Sequence, residues 1–217
     1  MGSLISTLAG GIVLTLGVSA AAWVVATCLG LILASFGELP IPVVPELARI
    51  IVNVTRSIPE LLVLYIFYFG LGGLGISISP FMAAVLAIGI GECGFTAEIF
   101  RAGMMNISVG QREAGSTVGL GPVGVLRHVV LPQVIPYVIP PLVNSYAALL
   151  KVATLASAIG VDEVIERANL EISNTGMVKD TLLIVAVIYL ILTIPLSKAA
   201  GYLERTTRRA VQGYQVA

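Results

Sequence analysis

Apolar residues fill five long stretches of the chain, and polar residues gather between them. The apolar stretches cover residues 8–36, 58–74, 80–100, 133–150 and 181–197. A helix needs about 20 apolar residues to cross the hydrocarbon core of a bilayer, and backbone groups in lipid must be hydrogen-bonded within their own segment. The pattern therefore predicts an all-α integral membrane protein with about five transmembrane helices.

The connecting segments differ in charge from one side of the predicted membrane to the other. Residues 36–56, residues 101–131 and the tail from residue 198 carry nine of the twelve basic residues. These nine are Arg49, Arg56, Arg101, Arg112, Arg127, Lys198, Arg205, Arg208 and Arg209. The opposite side carries Lys151, Arg167 and Lys179. Because cytoplasmic segments are enriched in Lys and Arg, we predict an outside N-terminus and a cytoplasmic C-terminus.

Composition supports a membrane protein. Of the 217 residues 57% are hydrophobic and 11% charged, with a net charge of zero, whereas about 25% of residues are charged in a soluble domain. The zero net charge gives no indication of nucleic-acid binding. Cys28 and Cys93 lie far apart within apolar stretches, which indicates neither a disulfide nor a metal site. No Lys or Arg precedes the first apolar stretch, so we expect a retained span rather than a signal peptide. No internal repeat or low-complexity tract is visible, so we expect a single transmembrane domain over residues 1–217.

The fourth predicted span is rich in proline. Its start and interior carry Pro132, Pro136, Pro140 and Pro141. Because an interior proline costs a helix about 3 kcal/mol, we expect a broken helix covered by protein or a water-filled cavity. The next stretch, KVATLASAIG at 151–160, is too short to span the membrane. It predicts either a small-residue helix packed against other spans or an ordinary outer turn.

A polar insert separates the third and fourth spans, with the sequence EAGSTVGLGPVGVLRHVVLP at 113–132. A short helix is predicted from about Val109 to Val118, ended by Gly119 or Gly121 with Pro122 just beyond. Such a helix is too short to be stable alone in water. From the residues alone, a docking helix and a self-packed loop are equally acceptable.

The insert resembles the EAA loop of the membrane subunits of ATP-binding-cassette importers. That loop has the pattern EAAxxxG, followed after nine residues by IxLP. The matching positions here are Glu113, Ala114, Gly115, Gly119, Val129, Leu131 and Pro132. Gly115 stands where Ala is usual and Val129 where Ile is usual, and the glycine weakens helix propensity by about 1 kcal/mol. The resemblance implies that residues 109–132, with Arg112 beside the motif, couple the chain to an ATPase.

Three further stretches resemble the polar amino acid permeases among these importers. They are TRSIPELLVLYIFYFG at 55–70, AEIFRAG at 97–103 and LLKVATLASAIGVDEV at 149–164. The last departs from the family at Val152 and Ala153, where Asp and Thr are common. The resemblance implies a type I importer permease fold in the bacterial cytoplasmic membrane.

The same resemblance implies the partners. They are a cytoplasmic ATPase dimer, a second permease subunit that is identical or homologous, and an extracytoplasmic solute-binding protein that delivers an amino acid. The chain has no GxxxxGK[ST] phosphate loop, so ATP and Mg²⁺ are expected on the ATPase, with no cofactor here. We therefore predict a transporter subunit rather than an enzyme.

Two other functions would also suit an apolar chain with a charged residue inside a span. An ion-coupled secondary carrier acting without an ATPase is the alternative, with Glu92 as its proton site, and internal inverted repeats would favour it. None is visible in the sequence. A membrane-embedded hydrolase lacks a nucleophile paired with a base, since His128 is the only histidine and no GxSxG or HExxH motif occurs.

Two carboxylates inside or beside the spans are candidate substrate residues. Glu92 lies in the middle of the third span, where an ionised side chain costs at least about 2.5 kcal/mol. The resembling family more often has a small or polar neutral residue at this position. Glu60 follows Pro59 at the start of the predicted second span. Members of the resembling family that are similar to the histidine, arginine and opine transporters tend to carry Asp or Glu at the position of Glu60. Two acids on one cavity would suit a guanidinium or ammonium group, so with this resemblance we expect a basic amino acid or an opine. Each has a structural alternative, a protonated helix-joining Glu92 and a Glu60 that complements the helix dipole.

The remaining acidic residues have simpler interpretations. Glu98 precedes Arg101 by three residues, the spacing of a structural ion pair on one helix face. Asp162, Glu163 and Glu166 form an acidic stretch on the predicted outer side. That stretch predicts either a contact with the binding protein or an ordinary solvated surface.

Overall fold

The computed structural model describes residues 2–215, apart from the side chains of Ser3 and residues 208–215. The side chains of Arg208 and Arg209, which entered the charge comparison, therefore lie outside the described residues. All regular secondary structure in the described part is helical. Four of its helices are long and apolar enough to cross a membrane, or five if one bent helix pair counts as a span.

The first span combines α1, Gly2–Ala9, with α2, Ile12–Gly37. Small residues line the face of α2 that packs inside the protein, including Ala22, Ala26 and Gly30. The predicted stretch 8–36 corresponds to most of this span. We call the end of the bundle at Gly37 the inner end and the opposite end the outer end, after the predicted orientation.

The second span is the bent pair, and it differs from the prediction. It consists of α3, Val43–Ser57, α4, Glu60–Tyr65, a π-helical turn at Ile66–Gly70, and α5, Leu71–Gly73. The two halves meet at an angle of 97°. The predicted span 58–74 thus covers only the outer half, and α3 is an amphipathic helix of the bent pair rather than a connector. Pro59 explains the break, because proline disfavours helical backbone at the preceding residue and Ile58 is extended, with ψ at 130°.

The third span, α6, runs from Pro80 to Met104 and is the most buried helix of the bundle. It begins with proline in the first turn, where the missing N–H costs nothing, and Ser79 Oγ accepts a hydrogen bond from the Met82 amide at 3.2 Å. Its contact with α2 is the most extensive between any two helices of the described chain. The inner end of α6 leads directly to the polar insert.

The insert forms α7, Val109–Thr117, at the inner end. Gly119 follows in the left-handed conformation with φ at +87°, and the Leu120 amide donates to the Gly115 carbonyl at 3.2 Å. This arrangement is a glycine-terminated helix end. The helix and its terminating glycine lie where the sequence predicts them.

The fourth span is continuous through its prolines. It comprises α8, Pro122–Val125, a π-helical turn at Leu126–Val130, α9, Leu131–Val152, and a 3₁₀ helix at Ala153–Ile159. The expected break in this span is therefore wrong. The π turn comes shortly before Pro132, whereas Pro136, Pro140 and Pro141 lie inside α9, which continues through them.

The 3₁₀ helix packs inside the bundle, with Ala153, Ala156 and Ile159 buried. It joins a cluster with residues of α2, α4 and α6 near the outer end. The packed-helix interpretation of KVATLASAIG is therefore the correct one of the two alternatives. The chain ends with α10, Val164–Thr175, at the outer end and α11, Val178–Gln215, which crosses back toward the inner end.

Candidate functional site

The break in the second span lies beside the middle of α6. A Cβ atom added at Gly94 would lie 2.8 Å from Arg56 Cγ, and one added at Gly91 would lie 3.9 Å from Glu60 Cγ. The last turn of α3 and the first turn of α4 therefore rest on two glycines of α6. Broken helices at membrane mid-depth are typical of transporter binding sites, because their free backbone ends face a cavity.

Two carboxylates and a guanidinium flank this break. Glu60 begins α4, Arg56 lies in the last turn of α3, and Glu92 lies on α6 between Gly91 and Gly94. Glu60 lies within electrostatic range of Glu92, and both side chains are half-buried. The Arg56 guanidinium carbon lies 5.1 Å from the centre of the Phe95 ring, a cation–π distance. The structure thus brings Glu60 and Glu92 together, and it places Arg56 on the α3 side of the break, within electrostatic range of Glu98.

Glu98 and Arg101 form the ion pair that their spacing predicts. Arg101 Nη2 lies 2.6 Å and Arg101 Nε 2.9 Å from Glu98 Oε2. The pair borders a cavity of about 430 Å³ between the inner halves of α2, α3 and α6. Asn53 and Arg49 also line this cavity, so it is a partly polar space on the inner side of the break.

The residues of the EAA-like loop have distinct environments. Glu113, Ala114, Gly119 and Pro132 are exposed, Leu131 is half-buried, and Gly115 is buried. A Cβ at Gly115 would lie 3.0 Å from Val129 Cγ2, so the two departures from the family pattern contact each other. Glycine at this position lets α7 approach the start of the fourth span closely.

Arg112 does not share the outward orientation of Glu113. Its guanidinium forms an ion pair with Glu38, at the end of α2, and donates through Nη2 to the Met104 carbonyl at 2.9 Å. Met104 is the last residue of α6. Arg112 therefore attaches α7 to the inner ends of two spans at once.

The outer acidic stretch is not a uniform surface patch. Glu163 is fully buried, whereas Asp162 is exposed and paired with Arg167 at 2.7 Å. Glu163 accepts hydrogen bonds from the Glu166 amide at 2.9 Å, from Thr15 Oγ1 at 3.3 Å and from the Tyr189 hydroxyl at 3.2 Å.

Burial of Glu163 raises its pKa to about 7, although the donors around it oppose the shift. The carboxyl joins the start of α10 to the first and last spans. Glu163 is therefore not part of a solvated surface. Its buried side chain caps the N-terminus of α10 by accepting a hydrogen bond from the Glu166 amide.

Sequence reasoning missed Arg56, Glu38 and the Glu163 cluster as parts of sites. Arg56 was assigned to a cytoplasmic connector, although the Ile58-Pro59 dipeptide after it was a signal for a helix break. Glu38 carried no signal, since its partner is 74 residues away. No group of three or more His, Cys, Asp or Glu side chains suited to a metal ion occurs among the described residues.

An all-α bundle with one broken span, charged residues at the break and a short helix fixed to the inner span ends defines a class of protein, the membrane-spanning permeases. Residues 26–209 match the family described as "Binding-protein-dependent transport system inner membrane component". The chain belongs to this family and is the permease component of an amino acid ABC importer.

Curated relatives agree with this assignment. The chain is 38% identical over 159 residues to the probable glutamine ABC transporter permease protein GlnM of Bacillus subtilis, covering 73% of this chain and 74% of that one. It is 33% identical to the probable amino-acid permease protein YxeN of Bacillus subtilis, covering 92% and 90%. It is 30% identical to the octopine transport system permease protein OccQ of Rhizobium radiobacter, covering 72% and 71%.

Solved structures show the same fold. A chain from the crystal structure of an amino acid ABC transporter with histidines superposes with a TM-score of 0.83 at 30% identity, covering 93% of this chain and 94% of that one. A chain of the inward-facing MetNI methionine ABC transporter superposes with a TM-score of 0.78 at 21% identity, covering 95% and 99%. The type I permease fold is therefore that of this chain, and the family assignment favours an importer over a carrier that works alone.

Proposed function

We propose that this permease imports basic amino acids or opines, and that Glu60 and Glu92 bind their cationic group at the break of the second span. The observation that carries the proposal is the meeting of the two carboxylates beside Gly91. Two acids held close together repel each other, and a guanidinium or ammonium group between them removes that repulsion. A neutral amide side chain would leave the repulsion in place.

Arg56 supplies the complementary charge. Every α-amino acid carries a carboxylate, and a guanidinium binds a carboxylate through two parallel hydrogen bonds. Arg56 lies at the end of α3 and Glu60 at the start of α4, so the two ends of the break present opposite charges. The break is therefore suited to a substrate with a carboxylate at one end and a cation at the other.

A change elsewhere on the chain fits this assignment. The resembling family commonly has Asp at the position of Val152, which precedes the 3₁₀ helix that packs near α4 and α6. Glu92, where the family more often has an uncharged residue, restores an acid from a different helix. We infer that the acidic group has been relocated rather than lost.

Transport is driven from the inner end. The exposed face of α7, with Glu113, Ser116 and Thr117, borders a groove of about 650 Å³ that we assign to the ATPase. ATP and Mg²⁺ would be bound by that ATPase dimer, and its closure would move α7. The cavity of about 430 Å³ beside Glu98 and Arg101 would then connect the break with the cytoplasm when the inner side is open.

The remaining partners follow from the family. A solute-binding protein delivers the amino acid at the outer end, and a second permease subunit completes the translocation pathway in the bacterial inner membrane. The relatives carry names that refer to glutamine and to octopine, so substrate choice must be decided by experiment.

The test is ATP-dependent uptake of arginine, histidine, glutamine and glutamate by proteoliposomes that contain the permease, its ATPase, its second permease subunit and its binding protein. We expect arginine or histidine to be favoured. Preferred uptake of glutamine or glutamate would refute the substrate assignment and leave the importer assignment intact.

Glu92→Gln tests the site itself. We expect the ratio of arginine uptake to glutamine uptake to fall about tenfold, which corresponds to about 1.4 kcal/mol of lost discrimination. Glu46→Gln is the control, because Glu46 is an exposed acid of α3 paired with Arg49. Equal losses for both amino acids in Glu92→Gln would assign Glu92 to helix packing.

A further inference from the structure

Arg112 lies where two hydrogen-bond acceptors and the C-terminal ends of two helices converge at the inner end. Glu38, the residue that follows α2, contributes a carboxylate, and Met104, the last residue of α6, contributes a carbonyl. Both helices also direct the negative ends of their dipoles toward this position. The guanidinium fork reaches Glu38 and Met104 with separate nitrogens, Nη1 and Nη2.

The ion pair between Glu38 and Arg112 differs from the surface pairs of the protein. Its side chains are 22% and 31% exposed, whereas those of Glu46 and Arg49 are 59% and 68% exposed. Partial burial reduces screening by water and salt, so such a pair holds its partners more firmly than an exposed one. The nine-residue α7 needs an attachment of this kind, because it is too short to be stable alone.

The two spans that Arg112 reaches are also fastened to each other. Thr96 Oγ1 of α6 donates to the Ala26 carbonyl of α2 at 2.6 Å. Gly30 of α2 lies so close to α6 that a Cβ atom there would be 2.7 Å from the Ala97 amide nitrogen. A displacement applied at the inner ends of α2 and α6 is therefore carried by both helices toward Glu92.

We propose that Glu38 is a positioning residue of the importer, which acts through Arg112 to fasten α7 to the α2–α6 pair so that movement of α7 displaces both spans together. The proposal rests on the proposed function, in which an ATPase moves α7. Glu38 lies outside the break of the second span. It lines the inner cavity beside Glu98 and, together with Arg112, the groove that carries Glu113. Its role is to convert the displacement of a surface helix into the displacement of a span.

The primary variant is Glu38→Gln, which removes the charge and keeps the shape. In proteoliposomes with the ATPase, second permease and binding protein, we expect at least fivefold slower uptake of the amino acid that the unmutated complex prefers. ATP hydrolysis should change little, so the number of ATP molecules hydrolysed per amino acid should rise. A residue that only stabilised the fold would lower uptake and hydrolysis together with the amount of assembled complex.

Charge reversal supplies the rescue test. Glu38→Arg should reduce uptake further than Glu38→Gln, and combining it with Arg112→Glu should restore part of the uptake, because the swapped pair can still form. Glu46→Gln serves as the control and should leave the ATP-to-substrate ratio unchanged. If a charge-reversed variant fails to assemble, the isosteric Glu38→Gln and the conservative Glu38→Asp, which should retain coupling, still decide the question.

Measuring Glu113→Lys in the same preparation distinguishes the role of Glu38 from the proposed coupling function on which that role rests. If Glu113→Lys abolishes coupled uptake while Glu38→Gln has normal uptake and a normal ATP ratio, the role of Glu38 is refuted and the docking role of α7 stands. If Glu113→Lys takes up substrate normally, the proposed coupling function itself is refuted. Normal uptake with a normal ATP ratio in Glu38→Arg would also overturn the role of Glu38.

Discussion

The second and third spans pack beside each other, yet one is broken and the other is straight and buried. The α3–α4 pair bends by 97° and leaves much of its apolar surface exposed. In α6, by contrast, 67% of the most apolar 18-residue segment is buried inside the protein. The third span packs against α2 through small residues, and Thr96 Oγ1 donates a hydrogen bond to the Ala26 carbonyl of α2. The second span rests its break on two glycines of α6.

This difference separates two mechanical roles. Closely packed helices move as one body, because a well-packed interface has few alternative arrangements. A helix interrupted by an extended residue and a proline can change its angle at little cost, and hinges in transporters are commonly such element ends. We therefore expect the α2–α6 pair to move as a rigid unit during transport, and the α3–α4 break to change its angle in response.

The largest expected effect follows from breaking the α2–α6 contact. In Gly30→Val, a side chain would meet Thr96 and the backbone of Ala97. Overpacking of this kind costs about 1–3 kcal/mol, and here it also forces the two spans apart. We expect little folded permease in the membrane, measured by fluorescence-detected size-exclusion chromatography of a tagged chain.

Gly72→Val is the matched control for Gly30→Val. A Cβ atom at Gly72 would have no heavy atom within 4 Å. This variant should yield folded permease close to the unmutated amount. Equal amounts of folded permease from both variants would show that the α2–α6 contact accommodates an added side chain as readily as the outer part of the second span does.

A smaller effect is expected at the break. Arg56→Gln should raise the KM for every transported amino acid about tenfold, because the proposed carboxylate contact is common to all of them. Glu92→Gln, in contrast, should alter the preference among amino acids. Uptake kinetics for arginine and glutamine distinguish the two, and an Arg56→Gln variant with an unchanged KM would remove Arg56 from the binding site.

Local sequence patterns predicted the elements whose determinants lie close together in the chain. The fold class follows from five apolar stretches, and α7 with its terminating Gly119 follows from a short helical segment, a glycine and a proline. The ion pair between Glu98 and Arg101 depends on residues three apart. In each case the signal and the structure share the same stretch of sequence.

The prediction of the broken span failed for a physical reason. Four prolines predicted a break in the fourth span, but Pro136, Pro140 and Pro141 lie inside the continuous helix α9. The π-helical turn at Leu126–Val130 comes before Pro132. The single Pro59 has a greater effect because Ile58 before it is extended. Glu38 and Glu163 were missed because their partners lie 74 and up to 148 residues away, contacts that no local pattern encodes.

Protonation of Glu163 should affect the outer end of α2 modestly. The carboxyl has an ordinary pKa of 4.5 and a pKa of about 7 in the folded protein. The unfolded chain therefore loses its proton first, and stability decreases as the pH rises from about 4.5 to 7, then stays at the lower value. Below about 4.5 this penalty is absent.

The measurement is the melting temperature of the purified permease in detergent between pH 5 and pH 8. For a chain of this size, 1 kcal/mol corresponds to about 2–4 °C, so we expect a decrease of several degrees in the unmutated protein. Glu163→Gln should show a smaller decrease, and the control Glu171→Gln, on the same helix, should behave like the unmutated protein. Identical pH dependence in all three would mean that Glu163 is ionised in the folded state at pH 5.

The smallest perturbation tests where the broken span ends. Gly73 ends α5, and Gly37 ends α2; a Cβ atom at either position would have no heavy atom within 4 Å, so cysteine at either one should leave uptake unchanged. In intact cells a membrane-impermeant thiol reagent should label Gly73→Cys and not Gly37→Cys, and inverted vesicles should reverse the result. The unmutated chain gives the background from Cys28 and Cys93, which lie within spans. Labelling of both variants from the same side would mean that α3 and α4 form a re-entrant loop, and the break would then lie too far from mid-depth to serve as the substrate site.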